Sequence, residues 1–405
     1  MKRLIVCLDG TWNTPDDGDN PTNVVKLMRA LLPCDDKDVP QIAFYDKGVG
    51  TGGPIDRMWG GAFGRGLNDN ILDGYRFLAH NYEANDEIYL FGFSRGAFTA
   101  RSLAGFIHWM GLLEKDVLDD LTDAWNTYRN PQKYKERYDE LLQHSRTNIP
   151  IKCIGVWDTV GALGVPIKFA NILTRHNYKF HNTNYGNHIE YAFHALAIDE
   201  KRGPFKPTLW ECNIDKNIPT ERLQQVWFAG CHSNIGGSYP DARLSDIALD
   251  WMLSCVEKAT GLAFDNEYRK GKIKPDHTGT LYNSLGGYLY SRLFPLYRVI
   301  GNMPIVCSWL SRQLRRFYRP GPGNKYINEM IHRSVVERWK KGGLIYSKGN
   351  APFPYKVRNL EHVIRKLPIV EKDGSITDHE QAIHDDESKL RNGNASTKID
   401  EISKP

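Results

Sequence analysis

The chain has 405 residues, 41% of them apolar, with a formal net charge of +5. This length allows one large domain or about two ordinary ones and buries a sizeable core. The charge is mild and no Lys/Arg block is long enough to act as a phosphate-binding arm, which argues against a nucleic-acid partner.

Taken in chain order, "RLIVCLD" (3–9) reads as a buried strand ending at Asp9-Gly10. "NVVKLMRALL" has helical spacing with Thr22 as its N-cap, and "QIAFYD" is a second strand. "GVGTGG" (48–53) satisfies G-x-G-x-x-G after that strand. Pro54 and further glycines come next, where a dinucleotide fold would open directly into a helix. A loop over the active site is therefore the expectation there.

"GLNDNILDGYRFLAHNY" is a helix, "EIYLFGF" a third strand, and "RGAFTARSLAGFIHWMG" a helix closed by Gly111. Two polar helices at about 115–147 interrupt the alternation as an insertion outside the sheet. "IKCIGVWDTVGALG" resumes as a fourth strand ending at Asp158, and "HIEYAFHALAIDE" reads as a helix. "LQQVWFAGCHSNIGGSY" is a fifth strand running into a Gly-rich loop that holds His232. A helix with Ser245 or Asp246 near its start ends at Gly261. "NEMIHRSVVERWKKGG" is a last helix.

Alternating strands and helices predict an α/β fold: an α/β-hydrolase-like, mostly parallel sheet with flanking helices and a helical or irregular cap. The expected division is a catalytic core over 1–261, a cap and C-terminal helical part over 262–370, and a polar, disordered tail over 371–405. The seven cysteines are odd in number and never spaced C-x-x-C, so neither a disulfide framework nor a zinc site is expected. The apolar stretch Leu4 to Leu8 is too short for a signal peptide, and no run of about 18 apolar residues occurs. Cytoplasmic synthesis without a cofactor or metal is the expectation.

"GFSRG" (92–96) is G-x-S-x-G between a strand and a helix. A strand turning sharply into a helix strains its tip residue, and only small neighbours leave room for the turn. Ser94 is thus the candidate nucleophile. A serine hydroxyl needs a base, and in this fold class the chain order is Ser, acid, His. Asp158 and His232 fit that order, each just past a strand end on the same sheet edge. His194 is a rival base, and His332 a weaker one; Asp199 and Asp246 are rival acids. Backbone N–H groups of Arg95 and of Gly10 or Thr11 are the candidate oxyanion donors, with Asp9 holding the Gly10 loop.

"CLDGTWN", "GVGTGG", "GFSRGAFTARSLAG", "VWDTVGALG", "FHALAIDE" and "WFAGCHSNIGGSYPDARLSDIALDWM" occur in that order. Together they resemble the catalytic-domain family of type VI secretion phospholipase effectors, an α/β-hydrolase branch. The resemblance implies an esterase acting on phospholipid acyl esters with Ser94 as nucleophile. It also implies delivery by a secretion system and an immunity or adaptor partner. The family generally reads His-Ser-Asp-x-Gly-Gly where this chain has His232-Ser233-Asn234-Ile235-Gly236-Gly237. Were the loop Asp the family's acid, this chain would lack it, whereas Asp158 is unaffected.

Three functions compete. A lipid esterase would use the aromatic, arginine-rich stretch Tyr288 to Tyr318 as a lid or membrane-facing surface. A hydrolase of a soluble ester, thioester or peptide would favour short acyl chains. A catalytically lapsed binding module would keep the fold and leave Ser94 unreactive.

Overall fold

The computed structural model of the chain describes residues 1–10, 20–48, 63–161, 185–213, 215–285, 297–301, 324–341, 355, 357, 359–360, 364 and 366–377. Its first half runs β1 (Arg3–Leu8), α1 (Asn23–Ala30), β2 (Gln41–Asp46), α2 (Phe63–Asn81), β3 (Glu87–Phe93), α3 (Arg95–Met110), β4 (Leu112–Leu113), α4 (Leu121–Arg129), α5 (Lys135–Gln143), β5 (Ser145–Arg146) and β6 (Ile151–Trp157). Next come β7 (Ile189–Ala197), β8 (Glu211–Asn213), β9 (Leu223–Phe228), α6 (His232–Gly236), α7 (Arg243–Thr260) and α8 (Asn266–Lys272). The last described elements are β10 (Asn324–Tyr326), β11 (Glu329–His332), α9 (Arg333–Lys340), β12 (Ile369–Val370) and β13 (Ile376–Thr377).

Side chains alternate across a strand, so a sheet covered on both faces sends successive residues to opposite cores. In β1, Leu4, Val6 and Leu8 enter one apolar cluster and Ile5 and Cys7 the other. β3 does the same, with Ile88 and Leu90 on one side and Tyr89, Phe91 and Phe93 on the other. The resulting nine-stranded sheet has the order β13-β12-β11-β9-β7-β6-β3-β1-β2. Its neighbours pair in parallel except β12 with β13. The architecture is α/β, a mostly parallel sheet between helical layers. The 115–147 insertion packs through α4 and α5 on α3, where Phe106 meets Trp125 and Tyr128.

The helix ends reflect local chemistry. Thr22 accepts the Val25 N–H at 3.3 Å to cap α1. Gly111 and Gly261 close α3 and α7 at φ of 79° and 73°, where a Cβ would be strained.

Four expectations need correction. "HIEYAFHALAIDE" is not a helix: it supplies β7, between β6 and β9. Its run from Ala192 to Ala197 is buried throughout, so the period-two signal of a strand is erased. "NEMIHRSVVERWKKGG" is a strand before it is a helix, because Glu329–His332 pairs with β9. The sheet also continues past 261 through β11, β12 and β13, so position 261 is not the end of the sheet-bearing core. Finally, residues 371–377 belong to a β-hairpin rather than to a tail, with Val370 paired to Ile376. Most of the stretch Tyr288 to Tyr318, and positions 378–405, lie outside the described residues.

Candidate active site

Ser94, Asp158 and His232 come from three strand ends on one edge. β3 and β6 are neighbours, so Ser94 and Asp158 leave the sheet side by side, and the Ser94 N–H donates to Trp157 O at 3.0 Å. The Asp158 N–H donates to Ala195 O of β7 at 2.7 Å. β9 lies one strand beyond β7 and leads into α6, whose first residue is His232.

The turn at Ser94 is as tight as its glycines imply. Ser94 has φ of 59° and ψ of −116°, a left-handed conformation that costs a serine about 1–3 kcal/mol. A Cβ on Gly92 would sit 2.4 Å from Gly96 O, and one on Gly96 only 2.1 Å from Leu8 O. Those contacts are with backbone, which cannot yield as a side chain can. Both glycines are therefore required for β1, β3 and the start of α3 to approach so closely.

His232 Nε2 lies 2.7 Å from Ser94 Oγ and Nδ1 lies 2.6 Å from Asp158 Oδ2. Ser94, Asp158 and His232 are all buried. The His232 ring is wedged between Phe93 and Phe205, at centroid distances of 4.7 and 4.9 Å. Its backbone N–H donates to Glu200 Oε2 at 3.3 Å. Burial pushes the Glu200 carboxyl up, but its bonds to Arg202 outweigh that and hold it below its ordinary value.

Asp158 carries a partner that sequence reading assigned elsewhere. Arg298 donates from Nη1 to Asp158 Oδ1 at 2.5 Å and from Nη2 to Oδ2 at 2.9 Å. Its guanidinium also donates to Ala197 O at 2.8 Å and to Phe205 O at 2.7 Å. The remaining acceptor position on Oδ1 takes the Ala197 N–H at 3.0 Å. Burial raises the Asp158 carboxyl, but Arg298 and His232 together overcome it and hold the group well below the usual carboxylate range. Arg298 is 1% exposed, so it is not one of the headgroup-facing arginines expected of Tyr288 to Tyr318. The one available signal was its setting in the short apolar run "PLYRVIG", and nothing in that run names its partner.

The rival residues are placed elsewhere. His194 Nε2 accepts the Thr159 N–H at 3.2 Å and Nδ1 meets Gln225 Oε1 at 3.3 Å, so both ring nitrogens are spent within the core. Burial pushes it down to about 3. His332 stacks on Phe228, with Nδ1 bonded to Ser334. Asp199 accepts the Gly230 N–H and the Tyr355 hydroxyl. Asp246 is ion-paired to Lys26 at 2.6 Å and accepts the Lys274 N–H.

Asn234 answers the question raised by the loop. Its Oδ1 accepts the N–H groups of Cys231 and Tyr282, and its Nδ2 donates to Thr280 O at 3.1 Å. It braces the histidine loop against 280–282, a use that needs an amide donor and not a carboxylate.

Of the proposed oxyanion donors, Arg95 opens α3, so its N–H lies at the helix N-terminus. The Gly10 N–H is already engaged by Asp9 Oδ1 at 2.6 Å, which corrects the expectation that it is presented to an oxyanion. Asp9 also accepts from Thr22 and Tyr45, and so holds the end of β1. Thr11 lies outside the described residues, as do 49–53 of "GVGTGG". Among the described residues, no group of three or more His, Cys, Asp or Glu could hold a metal ion, and no helix is long and apolar enough to cross a membrane.

Fold and site define an α/β protein whose sheet edge carries a hydrogen-bonded row of serine, imidazole and buried carboxylate. Residues 2–255 match the family described as "T6SS, Phospholipase effector Tle1-like, catalytic domain", and the chain belongs to that family. Uncharacterized protein YEL023C of Saccharomyces cerevisiae is 31% identical over 233 residues, covering 51% of this chain and 32% of that protein. Two solved structures are similar. An uncharacterized protein from Pseudomonas aeruginosa has 15% identity and a TM-score of 0.42 over 68% of this chain and 49% of that one. The Tle1 effector bound to the VgrG spike of the type 6 secretion system has 19% identity and a TM-score of 0.35, over 59% and 51% of the two chains. The chain thus spans 32% of the yeast protein's length and about half of each solved chain.

Proposed function

We propose that the chain is a serine hydrolase that cleaves carboxylic ester bonds of lipids, as a phospholipase-type esterase. The observation that carries this reading is the unbroken hydrogen-bond run from Ser94 Oγ through His232 to Asp158, on a strained strand-to-helix turn. The family description supplies the lipid substrate class.

In this mechanism His232 Nε2 takes the hydroxyl proton as Ser94 Oγ attacks the ester carbonyl. Asp158 keeps the other proton on Nδ1 and stabilises the imidazolium that forms. The tetrahedral oxyanion develops at the start of α3, where the Arg95 N–H and the helix dipole favour negative charge, with Thr11 as the second donor. His232 returns the proton to the departing alcohol, leaving an acyl group on Ser94. Water, deprotonated by the same imidazole, then releases the carboxylic acid and restores Ser94. A delivery, adaptor or immunity partner rests on the family description alone and belongs to the same proposal.

A fluorophosphonate probe tests the chemistry. Labelling of the wild-type protein that disappears in Ser94→Ala is expected. A folded wild type that takes no label would refute the reading and favour a binding module. Substrate class is read from p-nitrophenyl esters of graded length and from phospholipid vesicles; hydrolysis confined to short chains would turn the assignment to a soluble ester.

A further inference from the structure

We propose that Arg298 is a positioning residue for the hydrolysis inferred above, on which this inference rests: it fixes the Asp158 carboxylate and balances its charge, so that an uncharged His232 is the electrically neutral state of the site. Arg298 lies outside the matched residues 2–255, in the segment 297–301. Its carbonyl accepts from Asn359 Nδ2 at 3.1 Å, and the Gly301 N–H donates to Glu329 Oε2 at 3.0 Å. The acid just past β6 is therefore held from a distant part of the chain that is tied to β11.

The geometry sets orientation first. Two guanidinium nitrogens grip both carboxylate oxygens, and the same group is anchored on Ala197 O and Phe205 O. The carboxylate cannot rotate without breaking this fork, so Oδ2 stays aimed at His232 Nδ1.

The same contacts set the charge. Asp158 is faced by Arg298 and by His232, and it accepts the Ala197 N–H. His232 is faced by Ser94 and Asp158, and by Glu200, whose charge Arg202 matches. His194 is neutral and turned to Thr159 and Gln225, while Arg101 on α3 donates to Thr208 O. With a neutral His232, the charges of Asp158, Arg298, Glu200 and Arg202 sum to zero. Take Arg298 away and the balanced state is the imidazolium, which cannot accept the Ser94 proton. His232 Nδ1 and Arg298 Nη2 share Oδ2, so they are at most about 5.5 Å apart, close enough for the guanidinium charge to bear directly on the imidazole.

The test is the pH dependence of fluorophosphonate labelling and of kcat/KM on a p-nitrophenyl ester, for wild type, Arg298→Met, Arg298→Gln and Arg298→Lys. The two neutral variants should move the acid limb up by one to two units. Arg298→Lys, which keeps the charge and loses the fork, should slow the reaction with its limb within half a unit of wild type. An unmoved limb in a folded, labelled neutral variant overturns the inference and leaves the hydrolase reading standing; a wild type that takes no label overturns both. Should the neutral variants fail to fold at pH 7.5, the charge argument requires circular dichroism to recover as pH falls toward 5.5, because protonating His232 restores neutrality. No recovery overturns it.

Discussion

Asp158→Asn perturbs the one group against which both His232 and Arg298 are set. The carboxylate accepts four hydrogen bonds, two on each oxygen. An asparagine offers one oxygen and one NH2, so one pair of donors must face donors. If the NH2 faces His232, the imidazole proton moves to Nε2 and the base can no longer take the Ser94 proton; a loss of about four powers of ten in rate is the expected scale. If it faces Ala197 and Nη1 instead, the fork breaks. In either orientation Arg298, 1% exposed, loses the carboxylate charge that its guanidinium grips, which costs about 3–5 kcal/mol. That is a large share of the roughly 5–15 kcal/mol that holds a typical domain together. Urea denaturation monitored by circular dichroism reads the stability, and the fluorophosphonate labelling rate reads the chemistry. Ser94→Ala is the control for an unlabelled protein of near wild-type stability. Adding Arg298→Met to Asp158→Asn removes the guanidinium together with the carboxylate it grips and should restore more than half of the lost stability. If Asp158→Asn unfolds at the wild-type urea concentration, or labels within tenfold of the wild-type rate, the account of this site is wrong.

Two further outcomes are expected. Asn234→Asp, which installs the acid that the family resemblance implies at this position, should cost about 1–3 kcal/mol, because a carboxylate cannot donate to Thr280 O. It should bring no gain in hydrolysis; a tenfold gain would show that the loop, not Asp158, supplies the acid. His194 and His332 are buried neutral, and burial pushes both down to about 3. Above about pH 6.5 neither the folded nor the unfolded chain protonates them, whereas below it the unfolded chain takes up protons the folded one refuses. Stability should therefore fall with pH between about 6.5 and 3, by up to roughly 1.4 kcal/mol per pH unit for each histidine. Urea melts at pH 7 and pH 5 should show this slope, and His332→Asn should lessen it; an unchanged slope in that variant removes His332 from the account.

Features that arise from atoms close together along the chain could be read from residue order. Gly92 and Gly96 are dictated by a turn in which any Cβ would meet backbone within a few residues or at the end of β1. Thr22 as a cap and Gly111 and Gly261 as helix ends are equally local. Asp158 and His232 were legible because parallel strands deliver the residues after them to one edge, whatever the details of packing. The rest depends on contacts between segments far apart in the chain. Most of β7 and of β11 is buried on both faces, and such a run carries no period that separates strand from helix. The amide at Asn234 has a meaning only beside Thr280 and Tyr282. Arg298 stands 140 positions along the chain from the carboxylate it grips. Its charge marked it for the surface until folding supplied a buried partner, because the energy of an ion pair depends on distance in space and on exclusion of water, and neither is written in the order of residues.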